Sequence, residues 1–450
     1  MALQKHHIEI FSILLLYCFV AISSIVNISN ISFVVFPILV AICAWQQPRT
    51  GLLALLAMFY LPSDGLGIPN PFIIASGIVL LINIKRINGN WLFVNKSLFI
   101  LYTLFIILRF ISFIFVENID FFKNYFGVSF TVLVYLFVIS ILIDKKEDIE
   151  FILDMWRVIG AIAAILCFIH FWYYGNTYLN QLNLSSNDVF DKVEINNEMI
   201  RWIWPGLEPN FWGLQLLIPF AINLFYLINK INLQNICLTF INFLGILGTY
   251  SRSSLLVTLV VISCLLISST YRKGTVSLHF NKLFVLLSGI LFVIIIYLYI
   301  PQFVDRFDSI KEAAFENQGS GRYFLYEEAI NNIFTHPFFG IGTGQTALIS
   351  IYHKETHNLF LQVFAENGIF NFIILIGIFG NELKKSLSLS DKKSLFAIAI
   401  FAVAVNSNTV SFFDMRVLFT LFVILNYKLY FQKNDFTSNT NCAERTQGGD

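Results

Sequence analysis

Long apolar runs, one after another, are the feature that most constrains the fold of this chain. They alternate with short polar segments over most of its length, and only 13% of the 450 residues are charged. Soluble domains carry about 25% charged residues, and a helix needs about 20 mostly apolar residues to cross a bilayer. The sequence therefore predicts an all-α, polytopic membrane protein with about 12–14 transmembrane helices.

The charge and cysteine content exclude two other classes. A formal net charge of +1 gives no basic surface of the kind that nucleic-acid binding needs. Most of the six cysteines lie inside apolar runs, and none is part of a CxxC pair. We interpret them as small apolar side chains and not as a disulfide or zinc framework.

The polar connections predict which side of the membrane each lies on. Positive charge falls on every second connection, for example at Lys85, Lys145 and Lys230, whereas the alternate connections carry acidic residues such as Asp188. The positive-inside rule then assigns both termini to the cytoplasm. The apolar run over 8–26 follows basic residues, but more spans come after it, so we expect a retained first helix and not a signal peptide.

These assignments divide the chain into three groups of transmembrane helices, two long outer loops and a tail. In order they are N-terminal helices over 1–174, a periplasmic loop over 175–206, central helices over 207–300, a large periplasmic loop with short helices over 301–356, C-terminal helices over 357–433, and a disordered cytoplasmic tail over 434–450.

The stretch 319–371 is rich in ionisable groups and lies between apolar runs. Its first part, from Arg322 to Phe334, has the spacing of an amphipathic helix whose apolar side includes Ile330 and Phe334, and Pro337 ends it. Gly340, Gly342 and Gly344 then favour a tight turn. Without a preceding strand, this GxGxG run is a weak nucleotide-binding signal.

A second helix is predicted after His357. Within it Asn358, Gln362 and Glu366 recur at i, i+4 and i+8, so they form one polar stripe that faces something other than lipid. His357 suits a general base or a charged donor to phosphate, although a lone loop histidine is more often only hydrogen-bonded. With His353 it also offers a metal pair, which lacks a third ligand at helpful spacing.

Three more ionisable residues stand out beside apolar runs. Arg252, in the sequence Ser251-Arg252, needs a partner or access to the interface, and snorkelling to headgroups is the simpler alternative. Glu208, in Glu208-Pro-Asn210, is either a base at the outer face or a helix cap. Arg109 lies well inside an apolar run, and its role stays open at this point.

In the order Arg322, the turn up to Gly344, His357-Asn358 and Phe364-Ala-Glu366-Asn-Gly368, the chain resembles the O-antigen polymerase and O-antigen ligase superfamily. These are membrane glycosyltransferases that use undecaprenyl-diphosphate-linked sugars. The resemblance is strongest from Gly206 to Phe372. It implies a GT-C-like fold, no metal and no other cofactor.

The resemblance also implies roles for the residues singled out above. Arg252 and Arg322 match the two arginines that bind the donor's diphosphate, and His357 or Glu208 is the base. The further candidate site residues are Ser251, Asn210, Asn358 and Glu366.

Among superfamily functions we favour a polymerase that joins repeat units of O-antigen or a related surface polysaccharide at the periplasmic face of the bacterial inner membrane. The alternative is the ligase, which transfers the polymer to lipid A core. The expected partners are a lipid-linked donor, a lipid-linked glycan acceptor and membrane lipids, with a chain-length regulator as a further candidate. A transporter of lipid-linked glycans is a third hypothesis, although no internal repeat typical of transporters is visible.

Overall fold

The structure is a computed structural model, and it describes residues 38–45, 48–58, 60, 71–86, 90–181, 209–272, 275–276, 322–350, 355–390, 393–409 and 416–447. The predicted first helix over 8–26, most of the loop over 175–206 and the first part of the loop over 301–356 lie outside these residues. So do Glu208 and His353.

Helices account for nearly all regular structure in the described part of the chain, which confirms the predicted all-α class. One two-residue antiparallel pairing, of β1 (Tyr271–Arg272) with β2 (Thr275–Val276), is also present. The helices are α1 (Pro48–Met58), α2 (Pro71–Ile82), α3 (Asn90–Ile111), α4 (Ile119–Leu142), α5 (Lys146–Gln181), α6 (Pro209–Asn229), α7 (Leu233–Gly248), α8 (Arg252–Thr270), α9 (Arg322–Thr335), α10 (Thr346–Ile349), α11 (Leu359–Leu387), α12 (Lys393–Asn406) and α13 (Arg416–Gln447). Short 3₁₀ turns cover Ile84–Arg86, Ser112–Phe115 and Ser407–Thr409.

Four of these helical segments are long and apolar enough to cross a membrane: Phe93–Phe115, Lys146–Ile169, Asn210–Asn229 and Leu359–Leu387. Shorter apolar helices accompany them, and large apolar side chains such as Phe93 and Trp172 remain exposed on the surface of the bundle. An exposed apolar surface of this kind suits contact with lipid. The protein is therefore a polytopic helical membrane protein, and the total of about 12–14 spans stays a prediction.

The centre of the bundle is α6, which packs against α5, α7, α8 and α12. Trp212 of α6 is fully buried and lies edge-on to Tyr60, with ring centroids 6.0 Å apart. The Tyr60 hydroxyl accepts a hydrogen bond from Trp156 Nε1 at 2.8 Å and donates to the Gln215 carbonyl at 3.2 Å. These contacts hold the first two turns of α6, and the candidate site described below lies at the start of that helix.

The structure corrects two predictions from the sequence. The amphipathic helix is present as α9, but it buries Leu325 and Ala329 and leaves Ile330 and Phe334 exposed. α9 packs on α11, and the side chains that it buries are Leu325 and Ala329, not Ile330 and Phe334.

The second correction concerns the tail. α13 continues to Gln447, so the backbone of 434–447 is helical where the composition predicted disorder. Adding residues to an existing apolar helix costs much less than starting a new one.

Candidate active site

Arg252 is the first residue of α8, and a three-residue connection separates it from the end of α7 at Gly248. Ser251, just before it, accepts a hydrogen bond on its hydroxyl from the Ser254 backbone N–H at 3.3 Å, which is the usual cap of a helix start. Tyr250 has a left-handed backbone with φ of 49°. Burial raises the pKa of its phenol. Arg252 itself is half-buried.

Two of the predicted site residues, Ser251 and Asn210, lie together at this end of the bundle. The Ser251 hydroxyl donates to Asn210 Oδ1 at 2.7 Å and lies 3.0 Å from the Ser254 hydroxyl oxygen. A Cβ at Gly213 would lie 2.3 Å from that same Ser254 oxygen, so α6 and α8 approach closely because position 213 has no side chain. Glu208 is two positions before Asn210 in the sequence.

The starts of α8 and α9 both contact one short segment, the residues 406–408 at the end of α12. Asn406 Nδ2 donates to the Ser254 hydroxyl at 3.3 Å, within the first turn of the helix that begins at Arg252. The Tyr326 hydroxyl donates to the Asn408 carbonyl at 3.5 Å, one turn into the helix that begins at Arg322. The backbones that carry the two predicted arginines therefore begin at the same end of α12.

His357 lies two residues before the first residue of α11, in a strained conformation. Its φ is 51°, and the imidazole is half-buried. Left-handed backbone is uncommon outside glycine, and such strain is concentrated at functional sites. The next residue, Asn358, caps the helix, because its side chain accepts the N–H groups of Phe360 and Leu361 at 3.1 Å each. Its side chain is therefore engaged with the helix backbone.

A chain of buried hydrogen bonds fixes the residue before His357. Gln362 Oε1 accepts the Thr356 hydroxyl at 2.8 Å and the Thr356 N–H at 3.2 Å. Gln362 Nε2 donates to Glu366 Oε1 at 2.7 Å, and the Thr346 hydroxyl donates to that same oxygen at 2.6 Å. The predicted polar stripe on this helix therefore faces the protein interior, with Gln362 and Glu366 both buried.

Glu366 pairs with Arg109, the arginine whose role the sequence left open. Both side chains are buried, with Arg109 Nη2 4.0 Å from Glu366 Oε2. Arg109 Nη1 also donates to the Ser129 hydroxyl at 2.5 Å. Arg109 Nε and Glu366 Oε2 have no hydrogen-bond partner among the described residues, so the pair is loosely matched. An arginine and a glutamate that each lie inside an apolar helix tend to form an ion pair. The sequence shows both charges in apolar runs, so it offered this pairing as a signal.

The glycine run forms the tight turn that the sequence predicted, with φ of 71° at Gly340, 107° at Gly342 and 79° at Gly344. It lies against α11 with almost no space between the two backbones. A Cβ at position 340 would lie 2.2 Å from the carbonyl carbon of Glu366. Gln345 also ties the turn to the α3–α4 connection, since its Oε1 accepts the N–H of Asn118 at 3.1 Å.

The turn replaces helical hydrogen bonds at a break in α11. Gly368 has φ of 74° and ψ of −177°, which interrupts the helix. The Ala365 carbonyl accepts the Ile341 N–H at 3.0 Å, and the Ile369 N–H donates to the Pro337 carbonyl at 2.8 Å. Interrupted helices are tolerated within a membrane when protein satisfies their backbone groups, and they often mark binding sites.

Residues 237–376 match the family model described as O-Antigen ligase. The segment belongs to the O-antigen ligase and polymerase superfamily. It contains Arg252, Arg322 and His357, whereas Glu208 and Asn210 precede it. The superfamily is a glycosyltransferase-like enzyme family of ligases and polymerases. No curated protein matches the chain.

Proposed function

We propose that the chain is an O-antigen polymerase, or a polymerase of a related surface polysaccharide, in the bacterial inner membrane. In this proposal the fold is GT-C-like, both termini are cytoplasmic, and the site formed at the starts of α8, α9 and α11 faces the periplasm. The donor and acceptor are glycans linked to undecaprenyl diphosphate.

The donor's diphosphate is bound by Arg252 and Arg322. Planar guanidinium groups bind phosphate oxygens through paired hydrogen bonds and offset the charge that grows on a leaving diphosphate. Arg252 is half-buried at the start of α8, where the first backbone N–H groups of the helix also favour an anion. The lipid chain remains in the bilayer, so the donor enters sideways from the membrane.

The reaction is a displacement at the anomeric carbon of the donor sugar. An acceptor hydroxyl oxygen forms the new glycosidic bond, and the bond from the anomeric carbon to the phosphate oxygen breaks, with its electron pair leaving on the diphosphate. His357 takes the hydroxyl proton, or Glu208 does so in its place. Asn358 and Glu366 act by holding the segment of His357, and Ser251 and Asn210 by holding the start of α8.

One observation carries this proposal: the helix starts that bear Arg252 and Arg322 both contact the segment 406–408. α11 packs on the 3₁₀ turn that contains Asn408, and its short connection to α12 makes the two helices antiparallel. The start of α11, and so His357, then belongs to the same end of the bundle. A diphosphate between the arginines would lie near an imidazole.

The ligase is the second candidate, and the match to the O-antigen ligase family favours it. We prefer the polymerase because abundant Phe, Ile and Asn and divergent flanking segments are typical of polymerases. Deleting the gene distinguishes the two. Loss of a polymerase should leave one repeat unit on lipid A core, whereas loss of a ligase should leave none and accumulate lipid-linked glycan.

Purified protein in liposomes, supplied with one defined lipid-linked repeat unit, tests the proposed site. Arg252→Ala, Arg322→Ala and His357→Ala should each lower turnover at least about 10²-fold, the usual cost of losing one transition-state contact. Arg252→Lys keeps the charge but loses the paired hydrogen bonds, so its turnover should lie between those of wild type and Arg252→Ala.

The matched control is Lys123→Ala, which removes an exposed cation that forms an ion pair with Asp120. It should keep wild-type turnover. Full turnover in all three site variants would overturn the site, and movement of the lipid-linked unit between leaflets without glycan formation would favour a transporter.

A further inference from the structure

A polar cavity of about 350 Å³ lies between α5, α6 and α7. It is at the end of α6 opposite to the candidate active site, because α6 begins beside Ser251 and ends at Asn229, next to Lys230. A helix of this length spans about 30 Å, the thickness of a bilayer's hydrocarbon core. The cavity is therefore a separate site, on the side predicted to be cytoplasmic.

Arg157 forms the inner wall of this cavity and is 4% exposed. Its Nε donates to Asn223 Oδ1 at 2.8 Å, its Nη1 to Asp154 Oδ1 at 3.2 Å, and its Nη2 to Asn235 Oδ1. An arginine has about five N–H donors, so these contacts leave donors on Nη1 and Nη2 for a ligand. The guanidinium also stacks 4.2 Å from the centre of the Tyr226 ring, which fixes its plane.

The charge balance of the cavity favours an anion. Asp154 is paired with Arg157 at 3.2 Å, and the neighbouring Glu150 is paired with Lys428 at 3.0 Å. Lys230, exposed at the mouth of the cavity, then gives the lining a net positive charge. Lysine, arginine and asparagine side chains are common ligands of phosphate oxygens.

The lining is also partly apolar. Phe151, Met155 and Val158, all on α5, line the cavity. The end of a helix that spans the hydrocarbon core is expected to lie near the lipid headgroups. A free phosphate ion has no apolar part that could contact this wall. The glycerol and the first acyl carbons of a phospholipid could pack against it. Basic pockets between transmembrane helices on the cytoplasmic side are known to hold anionic headgroups.

We propose that this cavity binds the phosphodiester headgroup of an anionic phospholipid from the cytoplasmic leaflet. The headgroup's phosphate lies between Lys230 and Arg157, and its glycerol carbons lie against Phe151 and Met155. The bound lipid joins the ends of α5, α6 and α7. This site does not depend on the chemistry proposed at the other end of the bundle.

The test is native mass spectrometry of the full-length, delipidated protein titrated with phosphatidylglycerol or phosphatidylcholine. Phosphatidylglycerol should bind more tightly, and Lys230→Gln should weaken it about fivefold, as expected for one basic residue near an anionic surface. Lys384→Gln is the matched control, an exposed lysine in the last turn of α11. It should leave binding unchanged, and both variants should melt at the wild-type temperature because both side chains are exposed.

Three results would overturn the proposal. Equal retention of the two lipids would exclude recognition of an anionic headgroup, because both lipids carry the phosphodiester and only phosphatidylglycerol has a net negative charge. Equal losses for Lys230→Gln and Lys384→Gln would assign the preference to general surface charge. Displacement of bound phosphatidylglycerol by an equal concentration of inorganic phosphate would show that the cavity recognises the ion alone.

Discussion

The two halves of α11 differ in the partners of their buried carboxylates. In the half before Gly368, the side chains of Gln362 and Glu366 form hydrogen bonds with each other and with other segments of the chain. The glycine turn supplies hydrogen bonds to the helix backbone of this half. After Gly368 the helix is regular. Its buried carboxylate, Glu382, pairs with Lys385 one turn along the same helix at 2.7 Å.

The difference shows that the helix is irregular in the half that lies beside the candidate site. The second half has its ion pair within one turn of the helix, and it also contacts α3, because the Ser97 hydroxyl accepts hydrogen bonds from Asn381 Nδ2 at 3.3 Å and from Lys385 Nζ at 2.8 Å. The first half depends on Arg109 from α3 and on the turn beside Gly340, and it follows His357, whose backbone is strained. Strain persists only where the surroundings impose it. We therefore expect substitutions in the first half to cost more than matched ones in the second.

The largest contrast should come from two glycines of α11. At Gly368 a Cβ would lie 2.0 Å from the Phe338 carbonyl oxygen, whereas at Gly377 nothing lies within 4 Å. Gly368→Ala should lower the free energy of unfolding by about 3 kcal/mol or more, because it combines a backbone clash with a left-handed conformation.

Gly377→Ala should be neutral or stabilising by about 0.5–1 kcal/mol, the usual gain of alanine within a helix. Thermal unfolding in one detergent measures both. Equal melting temperatures for the two variants would contradict the close contact between the turn and α11.

A smaller contrast is expected for the two buried glutamates. Glu366→Gln keeps an oxygen for Thr346 and Gln362 but leaves buried Arg109 without its counter-charge, so we expect a loss of about 2 kcal/mol in stability. In Glu382→Gln the Lys385 side chain, 22% exposed, is able to reach water, and the loss should stay below about 1 kcal/mol. Chemical unfolding of both variants measures this order, and the reverse order would refute the comparison.

The smallest contrast concerns the two ends of the helix. Asn358→Ala removes the N-cap and should cost about 1 kcal/mol, whereas Asn358→Asp keeps the cap and should cost little. Ser388→Ala at the exposed C-terminal end should change stability by less than about 0.5 kcal/mol. The melting temperatures of the three variants check this, and an equal cost for Asn358→Ala and Ser388→Ala would be unexpected.

The sequence predicted those features that depend on residues close together in the chain. Glycine spacing indicated the turn, and the i, i+4, i+8 spacing indicated the buried stripe with Glu366. Opposite charges inside two apolar helices favour a pair, but the sequence did not single out Glu366 as the partner of Arg109, and it did not predict which face of α9 is buried. Both depend on which helices become neighbours, and periodicity within one helix carries no information about that.

The most direct test of the central claim measures whether Arg252 and Arg322 lie together at one end of the bundle. Spin labels on Arg252→Cys and Arg322→Cys, in a background without other cysteines, report this distance by pulsed electron paramagnetic resonance. Helices pack about 8–10 Å apart, so labels at neighbouring helix starts should be less than about 25 Å apart. A distance of about 30 Å or more, the thickness of the hydrocarbon core, would mean that the two arginines cannot share one diphosphate.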